Sequence, residues 1–237
     1  MSRNTRISVC LATYNGGKFI KEQLTSIIDQ LGIDDEIIIS DDHSIDNTLA
    51  IVKSFNDNRI KIHFNKYDRG YVNNFEHAIE QSSGQYLFLA DQDDVWLPGK
   101  VDQFLVALQK FDIVVSDAKI TDTNLAIVSS SHFELHQVKT GFFHNWIKTR
   151  YIGACMAFRA EMLNKILPFP SNKKLCAHDY WIALVGERFY SLGLIKEPFL
   201  LYRRHELNAS TGGSESGNSL FHKIKVRLYT LLHLINR

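Results

Sequence analysis

Three acidic side chains follow an apolar run in the middle of the chain. Residues 86–90 have the length and composition of a buried strand, and the next carboxylates are Asp91, Asp93 and Asp94. Carboxylates this close repel one another unless a cation lies between them. Hard oxygen ligands at this spacing suit Mg²⁺ or Mn²⁺, particularly when phosphate oxygens complete the coordination shell. We therefore predict a divalent-metal site for a diphosphate; the alternative is an acidic, solvated turn that caps the next helix.

Strand and helix patterns alternate before these acids. Apolar runs predict strands at residues 7–13, 36–40 and 60–64, and apolar residues at helical spacing follow each of them. Ser44, with Asn47 behind it, has the pattern of a cap for the second helix. Three strand-helix units before a fourth strand imply right-handed crossovers. The predicted fold is therefore α/β, with a Rossmann-like, mostly parallel, doubly wound sheet and helices on both faces.

Polar residues follow several of these strands. In a mostly parallel sheet the carboxyl ends of the strands lie together, and ligands bind in the crevice beside them. The residues expected in this crevice are Thr13, Tyr14 and Asn15 after the first strand, Asp41 and Asp42 after the second, and Asp91, Asp93 and Asp94 after the fourth.

The pattern is less regular after the acids. A helix is predicted from about Pro98 to Phe111, and residues 113–116 and 153–159 have the composition of strands. Periodicity fades from residue 117 to about residue 151, which favours a binding loop or an acceptor flap. A further helix opens at residues 177–181, with Asp179 near its amino terminus. The last predicted strand, residues 200–204, has the polar end Arg203, Arg204 and His205.

The tail has a different composition. Residues 211–219 are rich in Gly and Ser, as in a flexible linker. Residues 220–237 predict a basic amphipathic helix, because one stripe is apolar and Lys223, Lys225 and Arg227 lie beside it. The apolar stripe consists of Leu220, Ile224, Leu228, Leu231, Leu232 and Ile235. Such a helix docks on its own domain, pairs with a second subunit in a homodimer, or lies on anionic lipid, and the sequence leaves these alternatives open.

Composition excludes several classes of protein. The 237 residues are 45% hydrophobic and 22% charged, as in a globular domain, and the formal net charge of +1 gives no steering toward nucleic acid. Cys10, Cys155 and Cys176 show no zinc-like spacing and are expected to be thiols in a reducing compartment. No apolar stretch has the length that spans a bilayer. We expect a cytoplasmic protein, with attachment to the inner face of the plasma membrane left open.

Ordered motifs between residues 7 and about 205 resemble those of one family. They are Val-Cys-Leu-Ala-Thr-Tyr-Asn-Gly at 9–16, Ile-Ile-Ser-Asp-Asp-His-Ser-Ile-Asp-Asn-Thr at 38–48, and Gly-Gln-Tyr-Leu-Phe-Leu-Ala-Asp-Gln-Asp-Asp-Val-Trp at 84–96. These segments are similar to the family 2 glycosyltransferases with the GT-A fold. The third motif, with Gly-Ala-Cys-Met-Ala-Phe, His-Asp-Tyr-Trp and Tyr-Arg-Arg-His further on, resembles bacterial rhamnosyltransferase-like members. The family usually has Gly after the second-strand acids, whereas this chain has His43.

The resemblance implies roles for individual residues. It assigns Asp91 and Asp93 to the divalent metal and the donor diphosphate, Asp179 to the catalytic base, and His205 to a further metal or phosphate contact. The implied nucleotide and donor contacts are Thr13, Tyr14, Asn15, Asp41, Asp42, Asp91 and Gln92. Arg203 and Arg204 are candidates for a clamp on the diphosphate. Two of these residues have structural alternatives: Asp179 could be a helix N-cap, and His205 could be a hydrogen-bonded surface group.

The resemblance also implies an organisation and a reaction. A GT-A domain is expected over residues 1–210, with a nucleotide-sugar half at about 1–117 and an acceptor half at about 118–210. The expected reaction is inverting and depends on Mn²⁺ or Mg²⁺. It transfers one sugar, with L-rhamnose from dTDP-rhamnose as the first choice, to a glycan or lipid-linked saccharide of a bacterial surface polysaccharide.

Other functions remain as alternatives. A UDP donor would make the chain a galactosyl-, glucosyl- or N-acetylglucosaminyltransferase, and a chain without catalysis would be a nucleotide-sugar-binding module. A Rossmann oxidoreductase is excluded, because Asn15-Gly16-Gly17-Lys18 is not the glycine fingerprint that binds a dinucleotide.

Overall fold

The computed structural model describes residues 6–205 and 220–237. Its strands are β1 (Ile7–Thr13), β2 (Glu36–Asp41), β3 (Ile60–Phe64), β4 (Tyr86–Asp91), β5 (Val95–Trp96), β6 (Ile113–Thr121), β7 (Ile127–Ser129), β8 (Met156–Arg159) and β9 (Leu192–Arg203). Its helices are α1 (Ile20–Ile28), α2 (Thr48–Ser54), α3 (Tyr71–Glu80), α4 (Lys100–Ala107), α5 (His132–His136), α6 (Phe142–Lys148), α7 (Leu163–Ile166), α8 (His178–Phe189) and α9 (Leu220–Ile235).

One sheet connects the strands in the order β3-β2-β1-β4-β8-β6-β9-β5, with β7 paired to β6. The first four strands pair in parallel, as do β6 and β9. The predicted α/β fold with a mostly parallel sheet is therefore confirmed. The sheet also contains antiparallel pairs: β8 runs opposite to both of its neighbours, β4 and β6. Its position joins the regular first half of the sheet to the second half.

Apolar residues explain why these strands form the core. Every residue of β1 and β2 is buried, since helices cover the sheet and α3 packs directly on both strands. The carboxyl ends of β1, β2 and β4 lie side by side, with Ala12 paired to Asp91 and Thr13 paired to Asp41. The strand ends that were predicted to border a crevice therefore lie side by side, and we call this edge of the sheet the crevice.

Several predicted boundaries were wrong. Helix α2 begins at Thr48 and Asn47 occupies its N-cap position, so Ser44 is not the cap. Residues 117–151 are more ordered than expected: they contain the end of β6, β7 and two short helices, α5 and α6. Strand β9 is far longer than the predicted strand at 200–204, and a 3₁₀ turn precedes β8. The predicted linker at 211–219 lies outside the described residues. None of the described helices has the length and apolar character needed to cross a membrane.

Candidate active site

The acid turn, residues 91–94, lies where β4 ends. Asp91 is the last residue of β4 and is half-buried, Asp93 is mostly buried, and Asp94 is fully buried. Gln23 Nε2 donates to the backbone oxygen of Asp91 at 2.7 Å, which fixes the end of the strand against α1. The structure therefore presents the three predicted carboxylates within one short turn at the crevice.

The carboxylates of this turn are costly to ionise. Burial, together with the neighbouring charges of Asp93 and Asp179, raises the pKa of Asp91 to about 8. Burial and the same kind of repulsion, from Asp93 and Asp91, hold the pKa of Asp94 well above its ordinary range. A cation at the turn would offset this repulsion, so the electrostatics favour a positively charged ligand.

Arg203 is a buried residue that donates hydrogen bonds to the acid turn. Its Nε donates to the Asp93 backbone oxygen at 2.7 Å, its Nη1 donates to the Thr123 backbone oxygen at 2.6 Å, and its Nη2 pairs with Glu22. The Arg203 backbone N–H donates to Asp94 Oδ1 at 2.9 Å. The residue is only 3% exposed. These contacts hold the guanidinium inside the protein beside the acid turn, and the predicted contact of Arg203 with the diphosphate stays a prediction.

Arg204 and His205 follow on the more accessible side. Arg204 is half-buried, and its guanidinium lies 5.8 Å from the centre of the Tyr202 ring. His205 Nε2 lies 2.8 Å from Asp93 Oδ2, and the imidazole stacks on Phe19 with the ring centres 4.8 Å apart. The structure therefore brings His205 to the acid turn, where it was predicted to contribute to a metal or phosphate site.

Lys100 is a buried cation that the sequence did not single out. It has no exposed surface; its Nζ donates to the Ala154 backbone oxygen at 2.7 Å and lies 4.5 Å from the Trp96 ring centre. Burial lowers the pKa of Lys100 to about 8, although the charges of Cys155, Asp94 and Asp91 oppose this shift. A lysine within a predicted amphipathic helix has the pattern of a solvent-facing residue, so the sequence carried no signal of its burial.

The loop after β1 is fastened to the acid turn through Gln92. The Gln92 amide accepts from Tyr14 N–H at 2.8 Å and donates to the Tyr14 backbone oxygen at 3.0 Å. A Cβ at Gly16 would lie 2.2 Å from Gln92 Oε1, so only glycine leaves room for this amide. The Tyr14 side chain is left exposed, with the Arg69 guanidinium 5.8 Å from its ring centre. Gln92 thus fixes the loop, and Tyr14 and Arg69 line the crevice mouth.

The acids after β2 organise the neighbouring loops. Asp41 accepts from the Ser44 backbone N–H at 2.8 Å, from Ser44 Oγ at 2.6 Å and from Thr13 Oγ1 at 2.8 Å. Ser44 Oγ in turn accepts from Asn15 N–H at 2.9 Å. Thr13, Asn15 and Asp41 are therefore brought together as predicted. Ser44 completes this cluster, which explains its position better than the predicted helix cap does.

Asp42 holds a second loop. It accepts from Asn65 Nδ2 and from Gly70 N–H, each at 2.8 Å, and only 5% of it is exposed. His43 follows with φ 62, the left-handed conformation that glycine adopts without strain. Its Nε2 lies 3.2 Å from the Asn65 backbone oxygen. The turn therefore keeps a glycine-like conformation although the side chain is histidine.

Asp179 faces the acid turn from α8. It lies within the first turn of the helix, after the N-cap residue Ala177, so the N-cap alternative was wrong. Its charge contributes to the raised pKa of Asp91, and together with burial it raises the pKa of Tyr71 to about 12. Tyr71, at the start of α3, is a residue that sequence reasoning had not assigned to the site. In the sequence, its position after Gly70 indicates only that a helix begins there.

Gly153 leaves room for Asp179, the candidate base, to lie against the turn before β8. A Cβ at Gly153 would lie 2.7 Å from His178 Nε2 and 3.3 Å from Asp179 Cβ, so the turn before β8 packs tightly against the start of α8. His178 is buried and stacks on Phe75 with ring centres 4.0 Å apart. Burial lowers the pKa of His178, which keeps the imidazole neutral. The start of α8 is therefore held rigidly in the crevice.

The acid turn is suited to a cation that a ligand helps to bind. Within residues 6–205 and 220–237, no three His, Cys, Asp or Glu side chains are arranged as a ready-made metal site. Mg²⁺ typically takes one or two protein carboxylates and completes its shell with water and substrate phosphates. Asp91 and Asp93 supply two such carboxylates with His205 beside them, and the repulsion that contributes to the raised pKa of Asp91 favours a cation there. The residues present therefore fit a divalent ion that binds with a diphosphate.

Comparison with known proteins identifies the family. The model described as "Glycosyl transferase family 2" matches residues 8–167, which is more than half of the chain. The chain belongs to glycosyltransferase family 2. A relative in this family, dTDP-rhamnosyl transferase RfbG of Shigella flexneri, is 32% identical over 216 residues, which are 84% of this chain and 72% of that protein. The chain is therefore an enzyme of the glycosyltransferase class.

Solved structures of other glycosyltransferases share the fold. S. aureus TarS in complex with UDP-GlcNAc matches with a TM-score of 0.75 and 18% identity, over 98% of this chain and 67% of that chain. The mannosyltransferase PcManGT of Pyrobaculum calidifontis, in complex with GDP-Man and Mn²⁺, matches with a TM-score of 0.64 and 17% identity, over 98% of this chain and 64% of that chain. These likenesses confirm the GT-A fold for this family 2 member.

Proposed function

We propose that this family 2 enzyme transfers L-rhamnose from dTDP-rhamnose to a saccharide acceptor, with inversion and with Mn²⁺ or Mg²⁺. The observation that carries the proposal is the position of Asp179, whose charge is close enough to raise the pKa of both Asp91 and Tyr71. A base candidate from α8 and the acid turn after β4 thus share one crevice. The RfbG relative supports the choice of donor.

The acid turn is the proposed diphosphate end of the crevice. Asp91 and Asp93, with His205 beside them, would hold the divalent ion. When bound, such an ion acts as a Lewis acid that stabilises the charge developing on the leaving β-phosphate oxygen. The chain itself contributes rigidity, since Arg203 holds the turn through the backbone oxygen of Asp93. The bound Mn²⁺ and GDP-Man in PcManGT support this arrangement.

Asp179 is the proposed general base. An acceptor hydroxyl must lose its proton as it attacks the anomeric carbon, and a carboxylate on the side opposite the diphosphate can take it. A single displacement of this kind inverts the anomeric centre. The raised pKa of Tyr71 keeps its phenol protonated, so that this hydroxyl can donate a hydrogen bond in the same crevice.

The donor nucleotide is proposed to lie over the loops after β1 and β2. Tyr14 is exposed there, whereas Thr13, Asp41 and Asp42 are buried and fix the loops around it. Arg204 remains the candidate for a phosphate contact, and Asn15 and Gln92 hold the loop at the crevice. In this proposal residues 1–117 form the donor half and residues 118–210 the acceptor half of one domain.

A UDP donor is the second candidate. The fold matches TarS, whose structure contains UDP-GlcNAc, so galactose, glucose or N-acetylglucosamine from UDP is the alternative. The acceptor is proposed to be a glycan or lipid-linked saccharide of a bacterial surface polysaccharide, and the site of action to be the cytoplasmic side of the plasma membrane. A nucleotide-sugar-binding module without catalysis is the remaining candidate from another class. A donor that is bound but never hydrolysed or transferred would favour it.

The first experiment is a thermal-unfolding panel of the full chain with dTDP-rhamnose and UDP-sugars, each with Mn²⁺, with Mg²⁺ or with chelator. A donor at about 100 times its Kd adds about 2.7 kcal/mol to the free energy of unfolding, which raises Tm by about 5–10 °C in a chain of this size. A metal-dependent shift with dTDP-rhamnose alone is expected. A Tm shift confined to a UDP-sugar would replace dTDP-rhamnose with that sugar as the proposed donor. No Tm shift with any donor would contradict the proposed site.

Asp179→Asn tests the base. The variant is expected to keep the donor-dependent Tm shift, because Asp179 does not hold the diphosphate, and to lose about 10²–10⁴-fold in transfer rate. Asp102→Asn, an exposed acid on α4, is the matched control and should transfer at the wild-type rate. An Asp179→Asn variant that transfers as fast as the wild type would remove Asp179 from the mechanism.

A further inference from the structure

Helix α9 docks on the domain through a seam of polar contacts. Trp146 Nε1 donates to the Arg227 backbone oxygen at 3.1 Å, and Lys165 Nζ donates to the Arg237 backbone oxygen at 2.7 Å. Tyr229 Oη accepts from Asn172 N–H at 2.7 Å. The buried residues of the helix are Thr230 and Leu234. The helix is therefore anchored from Arg227 to its carboxyl end, and most of its apolar stripe takes no part in the anchor.

The apolar stripe of α9 faces away from the domain. Five of its six residues are 46–74% exposed, and Leu231 is half-buried. Phe221, beside the stripe, is 78% exposed. The five exposed stripe residues are Leu220, Ile224, Leu228, Leu232 and Ile235. A helix whose apolar face serves only its own domain buries that face. Contiguous exposed apolar residues on one face instead indicate a surface that binds something else. Docking on its own domain, one of the three predicted alternatives, is thus correct for the helix but does not explain the stripe.

Helix α6 extends this surface. Phe143 and Ile147 are one helical turn apart, 73% and 57% exposed. The Arg227 guanidinium of α9 donates to the Ile147 backbone oxygen, so the two helices are in direct contact where these residues lie. We call the exposed apolar residues of α6 and α9, with the basic residues around them, the α6/α9 surface.

The α6/α9 surface carries one sign of charge. Residues 138–151 and 220–237 contain no Asp or Glu. Exposed lysines lie on both helices or beside them, at positions 139, 148, 223 and 225. Apolar residues flanked by lysines match a membrane interface, in which an apolar face enters the lipid and basic residues meet anionic headgroups.

We propose that the α6/α9 surface binds the surface of an anionic lipid bilayer. The charges decide between this occupant and a second copy of the chain. An isologous dimer through this face would bring together two copies of one lysine-bearing surface, and like charges across an interface oppose association. Anionic lipid complements both the lysines and the apolar stripe. The domain then lies on the membrane through two helices that are already folded, with no segment inserted across it.

Vesicle co-sedimentation of the full chain tests the proposal. The probes are vesicles of phosphatidylcholine alone and of phosphatidylcholine mixed with phosphatidylglycerol. Wild-type protein is expected to bind only the mixed vesicles, and added salt is expected to weaken binding because it screens the lysines. Neither donor nor acceptor is needed, so this test is independent of the proposed reaction.

Two variants separate the contributions of the surface. Ile224→Glu combined with Leu228→Glu should lower the vesicle partition coefficient at least tenfold, and Lys223→Gln combined with Lys225→Gln should weaken binding and its salt dependence. The matched control is Ile33→Glu combined with Val106→Glu, two exposed apolar residues elsewhere, which should bind like the wild type. Circular dichroism and Tm confirm folding of each variant, since all these side chains are exposed.

Three results would overturn the proposal. The first is wild-type protein that fails to bind the mixed vesicles. The second is a stripe variant, Ile224→Glu with Leu228→Glu, that binds them as well as the wild type does. The third is a wild-type dimer in light scattering that the stripe variant converts to a monomer, which would assign the α6/α9 surface to a second copy.

Discussion

Asp91 offers a test of the site that does not need the acceptor. Its pKa is raised from 3.8 to about 8, so between these values the folded chain keeps a proton at Asp91 that the unfolded chain has lost. The group therefore contributes to stability at low pH, and this contribution disappears as pH rises toward 8. Without a cation, the ionised carboxylate destabilises the fold at pH 8 and above.

The magnitude follows from the shift. About 4 pKa units at about 1.4 kcal/mol each give an upper bound of ~6 kcal/mol. Asp91 is only half-buried, so water and salt screen much of the unfavourable interaction of its charge. We therefore expect the ionised carboxylate to lower the free energy of unfolding by about 2 kcal/mol. Asp91→Asn removes the charge but keeps the shape. In chelator at pH 8 the variant should therefore be more stable than the wild type by about 2 kcal/mol.

Urea denaturation measures this difference. The gain of Asp91→Asn should shrink toward pH 5, where the wild-type carboxyl stays protonated in the folded state. With Mn²⁺ and dTDP the order should reverse, because the wild type alone keeps the full ligand set. Asp102→Asn, exposed on α4, should change stability by less than about 0.5 kcal/mol at either pH. An Asp91→Asn chain less stable than the wild type in chelator at pH 8 would refute the reasoning.

Two further substitutions test the supports of the site. Arg203→Met removes the donor to the buried Asp93 oxygen and to the partly buried Thr123 oxygen, and should cost about 3 kcal/mol in urea denaturation. Glu22→Gln, whose side chain is 57% exposed, should cost less than about 1 kcal/mol. Equal costs for the two variants would mean that the ion pair, and not the hydrogen bonds to the backbone, stabilises the fold. His43→Gly should be neutral within about 0.5 kcal/mol, since relief at φ 62 offsets the lost bond to Asn65, but His43→Val should cost about 2 kcal/mol. A valine tolerated as well as glycine would show that the turn relaxes.

The first half of the fold was predictable because its signals are local. Strands β1, β2 and β4 are apolar runs that end in polar residues, and parallel pairing then brings those ends together. Thr13, Asp41 and Asp91 could therefore be placed at one crevice from spacing alone. The family motifs suggested the roles of these residues, because their spacing alone does not indicate a function.

The remaining features depend on contacts distant in sequence. Arg203 has the pattern of a polar strand end, and only the return of β9 beside β6 buries it under the acid turn. Helices α5 and α6 have only five and seven residues. Segments this short do not show a helical period of apolar residues. Glu187, on α8, accepts from Tyr151 Oη at 2.8 Å and from Gly141 N–H at 3.0 Å, which helps to order a stretch that had looked like a loop.

Strand β8 has a consequence for how the chain reaches this structure. Its four residues pair with β4 on one side and β6 on the other, so both neighbours have an open edge until residues 156–159 are in place. During synthesis the first four parallel strands emerge from the ribosome well before that segment. Unpaired strand edges recruit other chains. Between residues 91 and 159 a nascent chain therefore carries both of these open edges, and β8 closes them at once, whereas the other edge of β6 stays open until β9 pairs with it.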